Sequence, residues 1–439
     1  MKPVNHPHNS SPFKIRNVRL FIYFRVFFNS RFYYPVFTIL FLDFGLTIEQ
    51  FALLNVAWAA SIVLLEIPSG ALADVIGRKN LLVFAAVVMV VEISLLCFIP
   101  RGNPNLLFVI FLINRLLSGT AEAAASGADE ALAYDSLKKE GDVANWPRVL
   151  EKQMRVQAIG FLVVMSLGAA VYDPTLVEKL TSWFGLSIFV SQDVTLRFPL
   201  YLTLGMAVLT LITTLRMREA MASEASDSPQ DEGAGCGHSV VQAFKLTLQA
   251  GGWILKTPFA LVIILSGLVF DNSIRMVMTL SSQYYRLIDL PEATFGLIGS
   301  GMAVIGMFIP RIALRLVKSK SPLFNIGIIT ILALGGLTGM GFFFPIIGLV
   351  PVMMLSGAMY MLNFFQSHYL NKITSSDQRA TVLSFKGLSL NLAYGIVGIL
   401  YSLLVASLRR NLSTAHPGII TDTLENMVFI KSIGWFPLY

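Results

Sequence analysis

Residues 66–82 read EIPSGALADVIGRKNLL, a short polar stretch between two long apolar runs. It gathers Asp74, Arg78 and Lys79 within six positions, although only 13% of the 439 residues are charged and 55% are hydrophobic. Soluble domains usually have roughly 25% charged residues, so water is not the main solvent of this chain. We therefore interpret the stretch as a loop at a membrane surface. The order of the apolar runs around it then decides the fold.

Apolar runs of about twenty residues recur along the whole chain, and each is long enough to cross a hydrocarbon layer of roughly 30 Å as a helix. They are continuous rather than alternating, which favours helices over a β-barrel. We predict an all-α polytopic membrane protein with eleven full spans and a twelfth that is short or truncated. The predicted spans begin near Val18, Phe51, Asn80, Asn105, Gln153, Leu196, Thr257, Ala293, Ser321, Pro345 and Arg379, with the twelfth near Asp422.

The distribution of basic residues predicts the orientation. When alternate loops are assigned to opposite sides, most Lys and Arg residues fall on the side of the N-terminus, and cytoplasmic loops are the ones enriched in them. The polar start leads into an apolar run too long for the core of a cleaved signal peptide. We predict a multi-pass protein of the cytoplasmic (inner) membrane with a cytoplasmic N-terminus. The net charge of +7 then reflects contact with the lipid bilayer, and no nucleic-acid partner is expected.

The longest polar interval, residues 217–239, separates six predicted spans from the rest. Residues 239–256 follow it with apolar residues at helical spacing and basic ends, a pattern typical of a helix lying along a membrane surface. We predict an N-terminal six-helix bundle over residues 1–216, a cytoplasmic linker with an amphipathic surface helix over residues 217–253, and a C-terminal bundle over residues 254–439.

An internal repeat supports two related halves. The stretch LEIPSGALADVIGRK (65–79) has an echo in MFIPRIALRLVKSK (307–320). In both, an Ile-Pro pair precedes a basic residue, Arg78 or Lys320, ten positions after the proline. The two stretches follow the second span of each predicted half, where a parallel duplication would place them. We predict two pseudo-symmetric six-helix bundles around a central cavity.

The opening stretch also matches a known pattern, G-x-L-x-D-x-x-G-R-[KR]-x-x-[LI], through Gly70, Asp74, Gly77, Arg78 and Lys79. This resembles the signature of the major facilitator superfamily, which lies in the same loop, between spans two and three. The resemblance implies the superfamily fold and a charge latch that breaks as the two halves rock. The stretch SGADEALAYDSLKKE (126–140) resembles a bacterial branch of that superfamily.

The residues of the signature loop also have a purely physical interpretation. Gly70 and Gly77 permit close helix approach and a tight turn. Asp129 and Glu130, just beyond span four, are predicted to pair with the basic groups of the loop. The alternative is that Arg78 and the neighbouring Lys anchor the topology and do nothing more.

Ionisable residues inside the spans predict a polar site, because each costs about 2.5 to 3.5 kcal/mol to insert without a partner. In span one, Arg31 lies too near the centre to reach the headgroups. In span four, Arg115, Glu122 and Asp129 are seven apart and so share one helical face. Arg115 and Gly119 resemble the R-x-x-x-G pattern of facilitator antiporters, in which the arginine is associated with proton coupling. The alternative is an internal Arg–Glu pair that only holds helices together.

The C-terminal half offers a second polar set. Asp271 and Arg275 in span seven are four apart and able to pair on one face, and Asn363 in span ten is a candidate lining residue of the cavity. Glu66 and Glu92 in spans two and three are further candidate proton carriers.

The motifs exclude several classes of function. The chain has no G-x-x-x-x-G-K-[ST] motif, so transport would be driven by a gradient rather than by ATP. No catalytic cluster or metal-ligand spacing is present in the sequence, and Cys97 and Cys236 form no such pattern, so we predict neither an enzyme nor a cofactor or metal. We predict a monomeric secondary transporter that exports a small-molecule substrate with protons as the coupling ion. The alternatives are an uptake symporter for a small polar or anionic solute, or a non-transporting membrane receptor.

Overall fold

A computed structural model of the chain describes residues 11–185, 189–219, 236–375, 378–418 and 420–438. In these residues the regular structure is helical. The α-helices are α1 (Arg16–Phe28), α2 (Phe37–Phe44), α3 (Ile48–Ile76), α4 (Arg78–Phe98), α5 (Pro104–Ala125), α6 (Ala128–Glu140), α7 (Trp146–Tyr172), α8 (Pro174–Trp183), α9 (Gln192–Thr195), α10 (Phe198–Arg216), α11 (Cys236–Lys256), α12 (Pro258–Thr279), α13 (Ser281–Leu287), α14 (Phe295–Ser319), α15 (Pro322–Met340), α16 (Leu349–Ile373), α17 (Arg379–Ala415) and α18 (Thr421–Ile433).

Ten helices in the described part of the chain are long and apolar enough to cross a membrane. They correspond to predicted spans two to eleven, so these ten are confirmed. The prediction of a continuous first span was wrong, because α1 ends at Phe28 and α2 begins only at Phe37. Pro35 lies between them, and proline cannot donate a helical N–H. The twelfth helix, α18, has 13 residues and a length of about 20 Å, which agrees with the predicted short span.

The two halves repeat the same features. Pro68 lies inside α3 and Pro310 inside α14, the second long helix of each half. The basic residues of the repeat follow at the start of α4 and directly after α14. In addition, the first span of each half is interrupted, by the segment between α1 and α2 and by Leu280 between α12 and α13. The duplication read from the two short stretches is therefore a property of the whole fold.

The halves join at one end of the molecule. We call the end where α1 begins the N-terminal face and the other end the opposite face. Helix α3 packs along α17, and α7 packs along α14. The described hydrogen bonds and ion pairs between residues 11–219 and 258–438 all lie toward the opposite face. The N-terminal half contributes Thr38, Ile39, Asp43, Glu49, Ser166 and Asp173 to them.

The halves separate toward the N-terminal face. Helices α7 and α14 approach each other at Ser166 and Ser300, whose hydroxyl oxygens are 3.5 Å apart. Beyond that contact, a cavity of about 420 Å³ opens between them, with Met154 and Phe161 on one wall and Met307 on the other. The halves are therefore joined toward the opposite face, and on the α7–α14 side a groove opens between them toward the N-terminal face.

Helix α11 occupies the stretch for which the sequence predicts a surface helix. Ala250 and Ile254 are buried in the core, whereas Val241, Leu248 and Leu255 are exposed at intervals of seven residues. One apolar stripe thus remains available to lipid, as expected for a helix in the membrane interface. Residues 220–235 of the predicted linker lie outside the described residues.

Candidate functional site

A cavity of about 250 Å³ lies between the two halves, at the level where the first and seventh spans are interrupted. Broken helices at corresponding positions of two repeats are a common setting for transporter binding sites. The residues that line this central cavity are Tyr34, Phe37, Asn55, Trp58, Arg115, Arg275, Met278, Thr279, Ser281, Ser282 and Tyr394.

The two breaks close the cavity by capping each other. The first N–H groups of a helix have no partner within the helix, and α2 has no side-chain cap of its own. Instead, the Ser282 hydroxyl accepts hydrogen bonds from the backbone N–H groups of Thr38 (3.0 Å) and Ile39 (3.2 Å). In return, the Thr38 hydroxyl donates to the carbonyl oxygen of Thr279 (2.6 Å) at the end of α12. The start of α2 is thus completed by a residue of the other half.

The N-terminal half contributes a buried arginine to the cavity wall. Arg115 is 6% exposed, donates to the Asn55 side-chain oxygen at 3.0 Å, and lies 5.3 Å from the ring centroids of Phe37 and Trp58. The Trp58 indole N–H donates to Glu122 at 3.0 Å. Arg115 and Glu122 therefore form no direct ion pair, and Trp58 connects them. Their Cα atoms are about 10 Å apart along α5, with Glu122 closer to the N-terminal face.

The C-terminal half contributes a neutralised arginine. An Arg275 nitrogen lies 2.5 Å from an Asp271 carboxylate oxygen, as the spacing in the sequence predicts. Another Arg275 nitrogen donates to the Asn391 side chain at 3.1 Å, and the guanidinium lies 5.4 Å from the centroid of the Tyr394 ring. Asn363 is exposed and is not among the residues that line the central cavity.

Arg31 does not face the central cavity, contrary to the sequence-based expectation. It lies in the break after α1, where the chain turns into the N-terminal bundle, and forms a buried ion pair with Glu92. The two side chains are 4% and 0% exposed. Arg31 therefore secures the break in the first span, and Glu92 serves as its counter-charge.

The signature loop forms a turn stabilised by an acidic residue that the sequence did not single out. Gly77 has φ +88° between α3 and α4, a backbone conformation that favours glycine, so the predicted tight turn is confirmed. The backbone N–H groups of Arg78 and Lys79 donate to the Glu219 carboxylate at 3.1 and 2.9 Å. The Arg78 side chain forms an ion pair with Asp135.

The predicted acidic partners of this loop bind elsewhere. Asp129 lies 2.5 Å and Glu130 3.4 Å from nitrogens of Arg25, because α6 packs directly against α1. At Gly70 an added Cβ would have no atom within 4 Å, so this glycine makes no close helix contact here. The side chain of Asp74 lies outside the described residues.

Two charge clusters at the opposite face were not found by sequence reasoning. Arg286 donates two hydrogen bonds of 2.7 Å to Asp43 and two, of 2.9 and 2.6 Å, to Glu292. Burial alone would lower the pKa of Arg286, but the bonds and charge of both carboxylates raise it above its usual value. Only the positions of these residues in the sequence could have indicated the cluster, since Asp43 and Arg286 stand at corresponding ends of the first and seventh spans.

The second cluster also joins the halves. Arg409 near the end of α17 forms ion pairs with Glu49, at the start of α3, and with Glu425 in α18. Like Arg286, it places one guanidinium between an acidic residue of each half. The two clusters therefore close the opposite face on both sides of the breaks, where Thr38 and Ser282 of the two halves bond to each other's helices.

Comparison with known proteins agrees with this architecture. Residues 19–400 match the family model described as Major Facilitator Superfamily. The chain belongs to the Major Facilitator Superfamily. The predicted superfamily fold is thereby confirmed, and membership indicates a multi-pass membrane transporter rather than an enzyme. Among curated proteins, no sequence matches the chain.

Solved structures of superfamily transporters share the fold at low sequence identity. A bacterial homologue of the human lysosomal transporter Spinster, inward-facing and unoccupied, has a TM-score of 0.72 at 14% identity, covering 98% of this chain and 95% of that chain. The nucleoside transporter NupG has a TM-score of 0.66 at 14% identity, covering 97% of this chain and 96% of that chain. A D-xylose-proton symporter has a TM-score of 0.58 at 15% identity, with 97% of each chain covered. At these identities the likeness shows the fold alone.

Proposed function

We propose that the chain is a secondary transporter that moves a small organic solute across the cytoplasmic membrane by alternating access, with protons as the coupling ion and export as the direction. The observation that carries the proposal is the central cavity between halves that are joined at the opposite face, with a groove between α7 and α14 toward the N-terminal face. With the N-terminus placed in the cytoplasm by the positive-inside rule, this conformation opens inward. The protein would act as a monomer.

The proposal gives several of the predicted site residues a role. Glu122 is the proton carrier, because it lies between the cavity and the N-terminal face and is linked to Arg115 through Trp58. Asp271 and Arg275 form the neutral wall of the C-terminal half. The signature loop, with Gly70, Asp74 and Gly77 beside its two basic residues, acts as the latch of the N-terminal face. The halves correspond to residues 1–216 and 254–439, joined by the linker 217–253.

The direction of transport has two candidate assignments. Export rests on the resemblance of Arg115 and Gly119 to the antiporter pattern. Packing alone also accounts for that glycine, since an added Cβ would lie 2.7 Å from the carbonyl oxygen of Trp58. Uptake of an anionic solute together with protons is favoured by the arginines of the cavity wall. The direction of proton-driven accumulation in vesicles of known orientation separates the two.

Cysteine labelling tests alternating access without a known solute. Tyr34→Cys and Ser281→Cys, in a background with Cys97 and Cys236 replaced, should react with a membrane-impermeant thiol reagent added from the side of the N-terminal face. Reaction from the opposite side should be at least tenfold slower, because the cross-capped breaks close that route. Ile331→Cys is the control, since Ile331 is exposed on a spanning helix and thiolates need water to react. Inert cavity cysteines in folded protein would indicate a packed bundle, and equal reaction from both sides would indicate a channel.

A further inference from the structure

The central cavity is lined by basic side chains and by no acidic one. Arg115 and Arg275 are among the residues that line it. Arg275 is neutralised by Asp271. Arg115 has no carboxylate within 4 Å among the described residues, and its buried Nε has no hydrogen-bond partner there. Arg115 therefore has no direct ion-pair partner at the cavity wall, although the charge of Glu122 reaches it from farther away.

This charge is held in place rather than mobile. The Asn55 side chain accepts one hydrogen bond from Arg115, and the rings of Phe37 and Trp58 flank the guanidinium. These contacts orient the group but do not neutralise it, and a buried charge is costly unless it is paired. Glu122 forms no direct ion pair with Arg115, because its carboxylate accepts a hydrogen bond from Trp58, and it acts on the guanidinium only at longer range. The guanidinium is therefore free to form a direct ion pair with an anion in the cavity.

We propose that the transported solute is a small aromatic monocarboxylate whose carboxylate binds Arg115. This inference rests on the proposed function, since it takes the central cavity as the solute site. A guanidinium binds a carboxylate through two parallel N–H···O bonds, and Arg115 still has nitrogens free for this. A second negative charge is not required at Arg275, because that arginine is already paired with Asp271.

The remaining walls indicate the body of the solute. Tyr34 is 43% exposed, and Tyr394 and Met278 lie on the C-terminal side of the same cavity. Aromatic and thioether groups pack well against a flat ring. The volume of about 250 Å³ limits the solute to one or two fused rings with a short side chain.

Three molecules of matched shape test the charge requirement: indole-3-acetate, indole-3-acetamide and tryptamine. With purified full-length protein in lipid nanodiscs, we expect indole-3-acetate to bind at least tenfold more tightly than the amide or the amine by isothermal titration calorimetry. Arg115→Gln should weaken indole-3-acetate at least tenfold, and Arg115→Lys should bind more weakly but keep the preference for the anion. Arg155→Gln is the control, because that arginine lies on the surface and pairs only with Glu151.

A second measurement avoids dependence on the folding of the Arg115 variants. Indole-3-acetate should protect Ser281→Cys, which lines the same cavity, from the thiol reagent, and the amide and amine should not. The inference is overturned if the amide or amine binds or protects as well as the acid, if none of the three binds, or if folded Arg115→Gln binds the acid normally. In each of these cases, the transporter assignment still holds if the cavity cysteines react from one side of the membrane only. If that labelling fails, the transporter assignment is removed whatever the cavity binds.

Discussion

At the scale of single residues, Trp58 links the charge that would hold the solute to the group that would carry the proton. Its indole N–H donates to Glu122, and its ring flanks Arg115. An ionised carboxylate accepts a stronger hydrogen bond than a protonated one. Protonation of Glu122 would therefore loosen Trp58 and, with it, the guanidinium. This gives a short physical route from proton binding to solute binding.

We expect Glu122→Gln to uncouple transport from protons. Glutamine keeps an oxygen that accepts from Trp58 but cannot exchange a proton. In proteoliposomes, accumulation of radiolabelled indole-3-acetate driven by a pH gradient should fall at least tenfold, while exchange of internal for external indole-3-acetate continues, because exchange requires no net proton movement.

The control for this experiment is Glu151→Gln, which alters an exposed carboxylate in a surface ion pair. It should leave both accumulation and exchange unchanged. Accumulation that survives Glu122→Gln would assign the Glu122–Trp58 contact a packing role only. Loss of exchange together with accumulation would mean that the substitution damages solute binding.

At the scale of secondary-structure elements, the interrupted spans line the central cavity and also help to close the opposite face. An uninterrupted helix would satisfy its own backbone groups, whereas a break leaves the start of α2 without partners. Ser282 of the other half supplies the acceptor. Because the bond crosses between halves, it can exist only while the opposite face is closed. The breaks thus line the cavity and also form a contact between the halves that depends on the conformation.

Ser282→Ala should weaken this closure. Thr38 and Ile39 are fully buried, and loss of a helix N-cap costs about 0.5 to 2 kcal/mol. We expect the backbone amides of residues 37–44 to exchange with deuterium at least threefold faster, measured by hydrogen-exchange mass spectrometry. Ser389→Ala is the matched control, because the Ser389 hydroxyl donates within its own helix. Unchanged exchange in α2 would mean that the cross-cap does not stabilise this conformation.

The sequence was sufficient for most elements because a membrane span has a strong local signal. Long apolar runs predicted ten helices, and the duplicated Ile-Pro stretches predicted two halves. The break in the first span has only Pro35 as a local sign. At the seventh, Leu280 is followed by the polar residues Ser281, Ser282 and Gln283, which do not by themselves end a helix. These interruptions depend on partners more than 240 residues away, such as Thr38 with Ser282.

The candidate site was predictable in part for the same reason. Asp271 and Arg275 pair within one helix, so their spacing in the sequence was enough. Asp129 had several basic groups within reach, and the choice of Arg25 follows from how α6 packs on α1. Arg31 was expected in the cavity because its depth in the span is readable, whereas the side to which the broken chain turns is not.

At the scale of the whole molecule, the two charge clusters of the opposite face set the balance between conformations. Arg286 and Arg409 each bind acidic residues from both halves. Removing one partner of such a partly exposed cluster leaves carboxylates without a counter-charge, which we estimate to cost about 2 kcal/mol, below the 3–5 kcal/mol of fully buried pairs. A change of that size shifts a two-state equilibrium by roughly 30-fold.

The clusters can therefore be used to test whether the halves move as rigid bodies. Arg286→Gln should open the opposite face, and two rocking halves must then close at the N-terminal face. Nitroxide labels at Lys179 and Thr423, both exposed near the opposite face, should move apart by pulsed electron paramagnetic resonance. Labels at Met154 and Met307, on facing walls of the α7–α14 cavity, should move closer in the same sample.

Arg101→Gln is the control that separates this motion from a general loss of charge at the opposite face. Arg101 pairs with Asp193 and donates to the backbone carbonyl of Asp43. All three residues belong to the N-terminal half, so the substitution removes no contact between the halves. We expect neither label distance to change in that variant. If Arg286→Gln lengthens the Lys179–Thr423 distance while the Met154–Met307 distance stays constant, opening of the opposite face is local. The halves would then not rock as units, and a gate formed by α2 and α13 alone would account for access to the cavity.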